Sequence, residues 1–66
     1  SVFALQKRAA WRGLNLPEET ASYLLSRVNR SPSVLFALLD RLDKEALTAQ
    51  RKLTVPFVRE VLGDQG

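Results

Sequence analysis

The segment from Ser31 to Gln50 has the longest unbroken helical period in this chain. Its apolar side chains recur at steps of three and four residues, which places them on one face of a helix. They are Leu35, Leu38, Leu39, Leu42 and Ala46. On the opposite face, charges of opposite sign stand four residues apart, in the pairs Asp40–Lys44 and Arg41–Glu45. A long amphipathic helix must cover its apolar stripe, so we expect the other elements to pack on it.

Turn and capping residues divide the rest of the chain into three shorter helices. Gly13 is a typical helix end, and Pro17 is suited to the first position of a helix. Ser31 before Pro32 and Thr54 before Val55-Pro56 are typical N-caps, because their hydroxyl oxygens can accept from free amides. The predicted helices span residues 3–12, 17–29, 32–51 and 55–62. No second strand exists to pair with the extended residues before Pro56, so the fold class is all-α, a small four-helix bundle.

The apolar periodicity also predicts the core. The expected core positions are Leu5, Ala9, Leu24, Leu25, Val28, Leu35, Leu38, Leu39, Leu42, Phe57, Val58 and Val61. Leu14 and Leu16, in the connection after the first helix, are expected to point inward. Arg51 and Lys52 follow the long helix, where cations are favoured by its negative end, and we interpret them as solvated.

Composition excludes most enzyme chemistry. The 66-residue chain contains no Cys and no His, so thiol catalysis, histidine bases and the usual zinc sites are ruled out. No glycine-rich phosphate loop is present, and no set of carboxylates stands out as catalytic or metal-binding. No apolar run approaches the roughly 20 residues of a membrane span, so we expect a cytoplasmic domain. A net charge of +3 permits an acidic partner without requiring one.

The first predicted helix is amphipathic and basic. Lys7, Arg8, Trp11 and Arg12 project onto the side opposite its apolar arc. Trp11 stands three and four residues from Arg8 and Lys7, so it could stack on a base or anchor a partner. The favoured interpretation is that this ring fills the edge of the core, with the basic stems lying across it.

Periodicity alone leaves two function classes open. One is a regulatory or interaction module of a larger protein, and the other is a helical DNA-binding module. A DNA-reading helix exposes basic and amide side chains toward base edges. The long helix exposes mixed charge instead, so sequence-specific DNA binding by this segment is disfavoured.

Three runs in the sequence are more specific than any helical period. They are LQKRAAWRGLNLP at Leu5–Pro17, LDRLD at Leu39–Asp43 and LTAQRKLTVPF at Leu47–Phe57. Together with Tyr23-Leu24-Leu25, these runs resemble the C-terminal part of the Hda family of AAA+ proteins, which are homologues of the bacterial replication initiator DnaA. The similarity covers nearly the whole chain.

The resemblance implies that residues 1–66 are a single small α-helical lid subdomain, whose nucleotide-binding AAA+ core lies outside this sequence. In the family, the intact protein joins the DNA-loaded sliding clamp through an N-terminal segment and promotes hydrolysis of ATP held by DnaA. The lid helps close over ADP or ATP and contacts neighbouring AAA+ proteins. The fragment alone is therefore expected to bind no cofactor tightly and to catalyse nothing, while an apolar patch that includes Trp11 or Leu14 could let it self-associate.

The resemblance also assigns candidate site residues. Family members place a nucleotide-sensing arginine near the start of the long helix, at the position that is Ser33 here, and Arg30 is the nearest replacement. The interface with the core or a partner is expected at Arg8, Trp11, Arg12 and Leu14. The lid of DnaA itself is the alternative, but DnaA continues into a DNA-binding domain, whereas this chain ends soon after Leu62, which favours Hda.

Overall fold

The computed structural model describes residues 1–28 and 31–63, which form four α-helices and no strand. The helices are α1 (Val2–Trp11), α2 (Glu18–Arg27), α3 (Pro32–Ala49) and α4 (Val55–Leu62). The all-α fold class and the four predicted helices are therefore confirmed. Within the described residues, no helix is both long enough and apolar enough to cross a membrane.

The ends of α1 and α4 follow the expected capping chemistry. The Ser1 hydroxyl accepts from the amide of Ala4 at 3.2 Å, and the Thr54 hydroxyl accepts from the amide of Phe57 at 3.3 Å. After α1, Gly13 adopts a left-handed conformation with φ 73°, and the amide of Leu14 donates back to the Ala9 carbonyl at 3.0 Å. This is a Schellman motif, in which glycine accepts the positive φ that other residues resist.

Helices α2 and α3 are shorter than predicted. Pro17 is extended, with ψ 152°, so it precedes α2 as the N-cap residue instead of opening the helix. Helix α3 ends at Ala49, because the next residue, Gln50, is left-handed with φ 55°. Ser31 precedes α3 as expected but makes no side-chain cap hydrogen bond to its amides; its hydroxyl lies 3.2 Å from that of Ser33.

The core follows the predicted apolar faces. Eight of the predicted positions are buried: Leu5, Ala9, Leu24, Leu35, Leu39, Leu42, Phe57 and Val58. The other four, Leu25, Val28, Leu38 and Val61, are half-buried against them. The connections contribute Leu16 and Leu53, and α2 adds Ala21 and the polar Thr20. The Thr20 hydroxyl donates to the Leu53 carbonyl at 2.8 Å, which satisfies both buried groups.

The helices do not all lie on α3, and this part of the packing prediction is wrong. Helix α1 packs mainly against α2, while α4 contacts both α2 and α3. Ala9 on α1 and Ala21 on α2 are both fully buried, and side chains this small allow two helices to approach closely. Helix α2 therefore lies between α1 and α4, with α3 completing the bundle.

Two side chains are placed differently from the sequence interpretation. Trp11 retains 74% of its surface exposed, so the interpretation that it fills the edge of the core is wrong. Arg51 is not simply solvated after α3, because its guanidinium pairs with Glu60 at 2.8 Å and lies over the Phe57 ring, 4.7 Å from the centroid. Arg51 thereby ties the α3–α4 connection to α4.

Candidate functional site

The outer face of α1 carries the net charge of the chain. Residues 1–17 contain three basic side chains and no acidic one, whereas residues 18–66 contain seven of each. Lys7 and Arg8 lie within α1, and Arg12 follows it as the C-cap residue. Because charges near the surface act over about 8 Å at physiological salt, these three cations produce one local positive field.

Aromatic rings alternate with these cations. The Arg8 guanidinium lies 4.0 Å from the centroid of Phe36 on α3 and 5.2 Å from that of Trp11. The Lys7 ammonium lies 5.4 Å from the centroid of Phe3, which is 69% exposed. Contacts of this kind stabilise by about 0.5–1 kcal/mol at an exposed site, so they orient the cations without neutralising them.

A groove runs between this face and the first half of α3. We call it the α1–α3 groove; its volume is about 460 Å³. The buried Leu5 and Leu35 contribute to its lining, together with Leu25, and Trp11 and Phe36 add their rings. Lys7 and Arg8 also line it, and none of its lining residues is acidic. The groove is thus apolar in depth and cationic at its rim.

Arg12 marks the end of this surface. Its guanidinium donates to the Phe36 carbonyl at 3.4 Å and lies 3.9 Å from the Asp40 carboxylate, which also pairs with Lys44 at 3.6 Å. Of the predicted interface residues, the structure thus brings Arg8, Trp11 and Arg12 together along α1 and α3. Leu14, the fourth, lies in the α1–α2 connection, half-buried against the core.

The start of α3 is the second candidate region. Ser33 lies exposed in the first turn of this helix, beside the Ser31 hydroxyl. No acidic residue stands in that turn, so the positive end of the helix dipole is not offset there. Arg30, the other predicted nucleotide sensor, lies outside the described residues. Among the described residues, no cluster of carboxylates is arranged to hold a metal ion.

Sequence reasoning placed Lys7 on the basic side of the first helix without counting it among the interface residues, and it missed Phe3 and Phe36 as parts of this surface. Phe3, Lys7 and Trp11 are spaced at steps of four, which aligns them along one side of α1. That spacing could have identified the exposed row. Phe36 could not be found in this way, because its place beside Arg8 depends on how α3 approaches α1.

A comparison with known protein families identifies a domain model that matches this chain. The model is described as "Hda, lid domain", and it matches residues 1–62. The matched residues include all four helices and both candidate regions, the outer face of α1 and the start of α3.

Proposed function

Because the chain belongs to the Hda family, matching its lid domain over residues 1–62, we propose that it is the lid of an AAA+ regulator of DNA replication initiation. The match over four helices is the observation that carries this proposal. In the intact protein, the lid closes over ADP or ATP held by the AAA+ core. The protein, bound to a DNA-loaded sliding clamp, promotes hydrolysis of ATP by DnaA.

The start of α3 is the proposed nucleotide-facing part of the lid. Ser33 occupies the position where the family resemblance expects an arginine, and its hydroxyl can donate one hydrogen bond but carries no charge. An arginine would add a positive fork with five donors. The lid therefore discriminates weakly between ATP and ADP, with Arg30 the nearest cation in sequence.

The outer face of α1 is the proposed contact with the partner ATPase. Trp11 and Arg8 are exposed residues of the types that dominate protein interfaces, and they lie beside an apolar groove. Arg12 extends this contact toward α3, and Leu14 supports it from the α1–α2 connection.

The proposal is tested with the full-length protein, DnaA loaded with ATP, and the clamp on DNA. We expect the full-length protein to accelerate ATP hydrolysis by DnaA, and the 66-residue lid alone to give no turnover. Hydrolysis by the purified lid would contradict its assignment, as would tight binding of duplex DNA at moderate salt, which is expected of a DNA-binding module.

The nucleotide contact is tested separately by measuring ADP and ATP affinities of full-length variants. Ser33→Arg should shift the preference toward ATP, because the added charge can reach the extra phosphate. Arg30→Ala should lower the affinity for both ADP and ATP if Arg30 supplies the lid contact. An unchanged preference in Ser33→Arg would show that the start of α3 does not face the phosphates.

A further inference from the structure

We propose that the α1–α3 groove binds an acidic segment of a separate partner protein, with an apolar side chain in the groove and carboxylates at Lys7 and Arg8. This inference rests on the proposed function, since it names the chemistry of the partner that the outer face of α1 contacts. It adds what that partner must present: an apolar residue flanked by acidic ones.

The interior of the groove selects for an apolar side chain. Leu5 and Leu35 are buried beneath it, and Leu25 lines it from α2. A volume of about 460 Å³ accommodates one or two large side chains. Burying apolar surface there against exposed rings is favourable. Trp11, at 74% exposure, is the side chain with most to gain from a partner.

The rim of the groove selects for carboxylates. Neither Lys7 nor Arg8 pairs with a carboxylate among the described residues, and each lies on an aromatic ring instead. Arg12, in contrast, already has Asp40 as a neighbour. Because opposite charge raises the association rate and suppresses wrong partners, two unpaired cations beside an apolar groove favour an acidic segment.

The charge also favours a separate chain over the core of the same protein. Permanent interfaces resemble a domain core cut in half and have few charges at their centre. Here two cations, Lys7 and Arg8, adjoin the exposed rings of Phe3 and Trp11 at the rim of the groove. Such a surface is suited to an association that forms and dissociates and that weakens with salt.

The same observations favour a protein over single-stranded nucleic acid. Proteins that bind single strands stack bases on free aromatic faces along a cationic track. Here Arg8 already lies against Phe36, at 4.0 Å from its centroid, and the groove interior offers aliphatic groups instead of hydrogen-bond donors. A peptide side chain is the better match to that interior.

The first test uses the fluorescence of Trp11, the only tryptophan in the chain. The probe is a short amphipathic peptide of leucine, alanine and glutamate without tryptophan. Its counterpart has lysine in place of every glutamate. We expect the acidic peptide to shift Trp11 emission to the blue and to bind at least about tenfold more tightly than the counterpart, with an affinity that falls as salt is raised.

Charge reversal in the groove is compared with charge reversal at Lys52, which does not line the groove. The double variant Lys7→Glu, Arg8→Glu should bind the acidic peptide at least about tenfold more weakly, because like charges then face the carboxylates of the peptide. Lys52→Glu changes an exposed lysine on the α3–α4 connection and should alter the affinity by less than about twofold. Circular dichroism melts confirm that each variant remains folded.

Three results would overturn the inference. One is equal affinity for the acidic and basic peptides, and a second is tighter binding of a thymidine oligonucleotide than of the acidic peptide. The third uses full-length protein in which Trp11 is the only tryptophan. If iodide fails to quench its emission without any partner present, the core of the same protein covers the groove.

The full-length protein also separates this inference from the proposed function. If the parent accelerates ATP hydrolysis by DnaA and the Lys7→Glu, Arg8→Glu variant does so equally well, the function stands and the docking site is wrong. If the parent itself gives no acceleration while the acidic peptide still binds the groove, the proposed function fails instead.

Discussion

The cations on the two sides of this small bundle have different kinds of partner. On α3 and α4, Arg41 pairs with Glu45 at 3.7 Å and donates to the Val61 carbonyl at 3.0 Å, while Arg51 pairs with Glu60 at 2.8 Å. On α1, Lys7 and Arg8 lie on aromatic rings and have no carboxylate partner among the described residues. Arg41 and Arg51 are thus held by groups of the same chain, whereas Lys7 and Arg8 present charges that a partner can use.

In this chain the location of charge is more informative than its sum. A net charge of +3 is modest for a chain of this size. Residues 18–66 are neutral in sum, so the whole excess lies in the first 17 residues, beside two exposed rings. We therefore expect substitutions in α2, α3 and α4 to change stability, and substitutions on the outer face of α1 to change binding.

A large stability effect is expected in the core at Leu39, which is 1% exposed. Leu39→Ala should lower the free energy of unfolding by about 2–5 kcal/mol, since it removes buried methyl groups and leaves a cavity. Thermal and urea denaturation measure this loss. Leu47→Ala is the matched control on the same helix, because Leu47 is exposed and its truncation should cost less than about 0.5 kcal/mol.

A Leu39→Ala variant that melts within a few degrees of the parent would contradict the packing described for α3. It would mean that a different face of this helix is buried. A large loss in Leu47→Ala would point to the same error.

The next largest effect is expected at the buried hydrogen bond between α2 and the α3–α4 connection. Thr20→Val keeps the shape of the side chain but leaves the Leu53 carbonyl without its 2.8 Å partner. An unpaired buried carbonyl costs about 1–3 kcal/mol, and denaturation should show a loss of that size. Thr48→Val, at an exposed position of α3, should change stability by no more than about 0.5 kcal/mol. Equal losses in the two variants would show that this hydrogen bond does not contribute.

A smaller effect, of opposite sign, is expected where α3 ends. Gln50 has φ 55°, a conformation that non-glycine residues adopt with strain. Gln50→Gly should raise the free energy of unfolding by about 0.5–1 kcal/mol, whereas Ala49→Gly, one residue earlier in the helix, should lower it by about 1 kcal/mol. Opposite signs at adjacent positions would establish the end of α3, and equal signs would refute it.

Local sequence signals accounted for most of the fold. The apolar period gave Leu35, Leu39 and Leu42 as buried, and Thr54 capped α4 as its residue type indicates. The end of α3 at Gln50 was missed, because the residue has no special preference for a left-handed conformation. At this end the amide of Arg51 donates to the Ala46 carbonyl at 3.1 Å, and the Arg51 side chain pairs with Glu60 on α4.

The arrangement of the helices and the candidate surface were harder to predict. Periodicity shows which face of a helix is apolar but not which neighbour covers it, so the packing of α1 on α2 was missed. The same limit applies to Trp11. Its residue type favours burial, yet it projects on the basic side of α1, and its position in the helix proved the better guide.

The smallest stability effect is expected at Trp11, and it tests the comparison most directly. Trp11 is 74% exposed, and the Arg8 guanidinium lies 5.2 Å from its ring centroid. Trp11→Ala should therefore change the free energy of unfolding by no more than about 0.5–1 kcal/mol. Phe57→Ala, which truncates an aromatic ring that is 4% exposed, should cost about 3–5 kcal/mol in the same denaturation experiment. A loss above about 2 kcal/mol in Trp11→Ala would show that this ring supports the core, because a ring that is 74% exposed has little buried area to lose. If Trp11→Ala leaves the free energy of unfolding nearly unchanged but abolishes binding of the acidic peptide, the outer face of α1 contributes to binding and not to the stability of the fold.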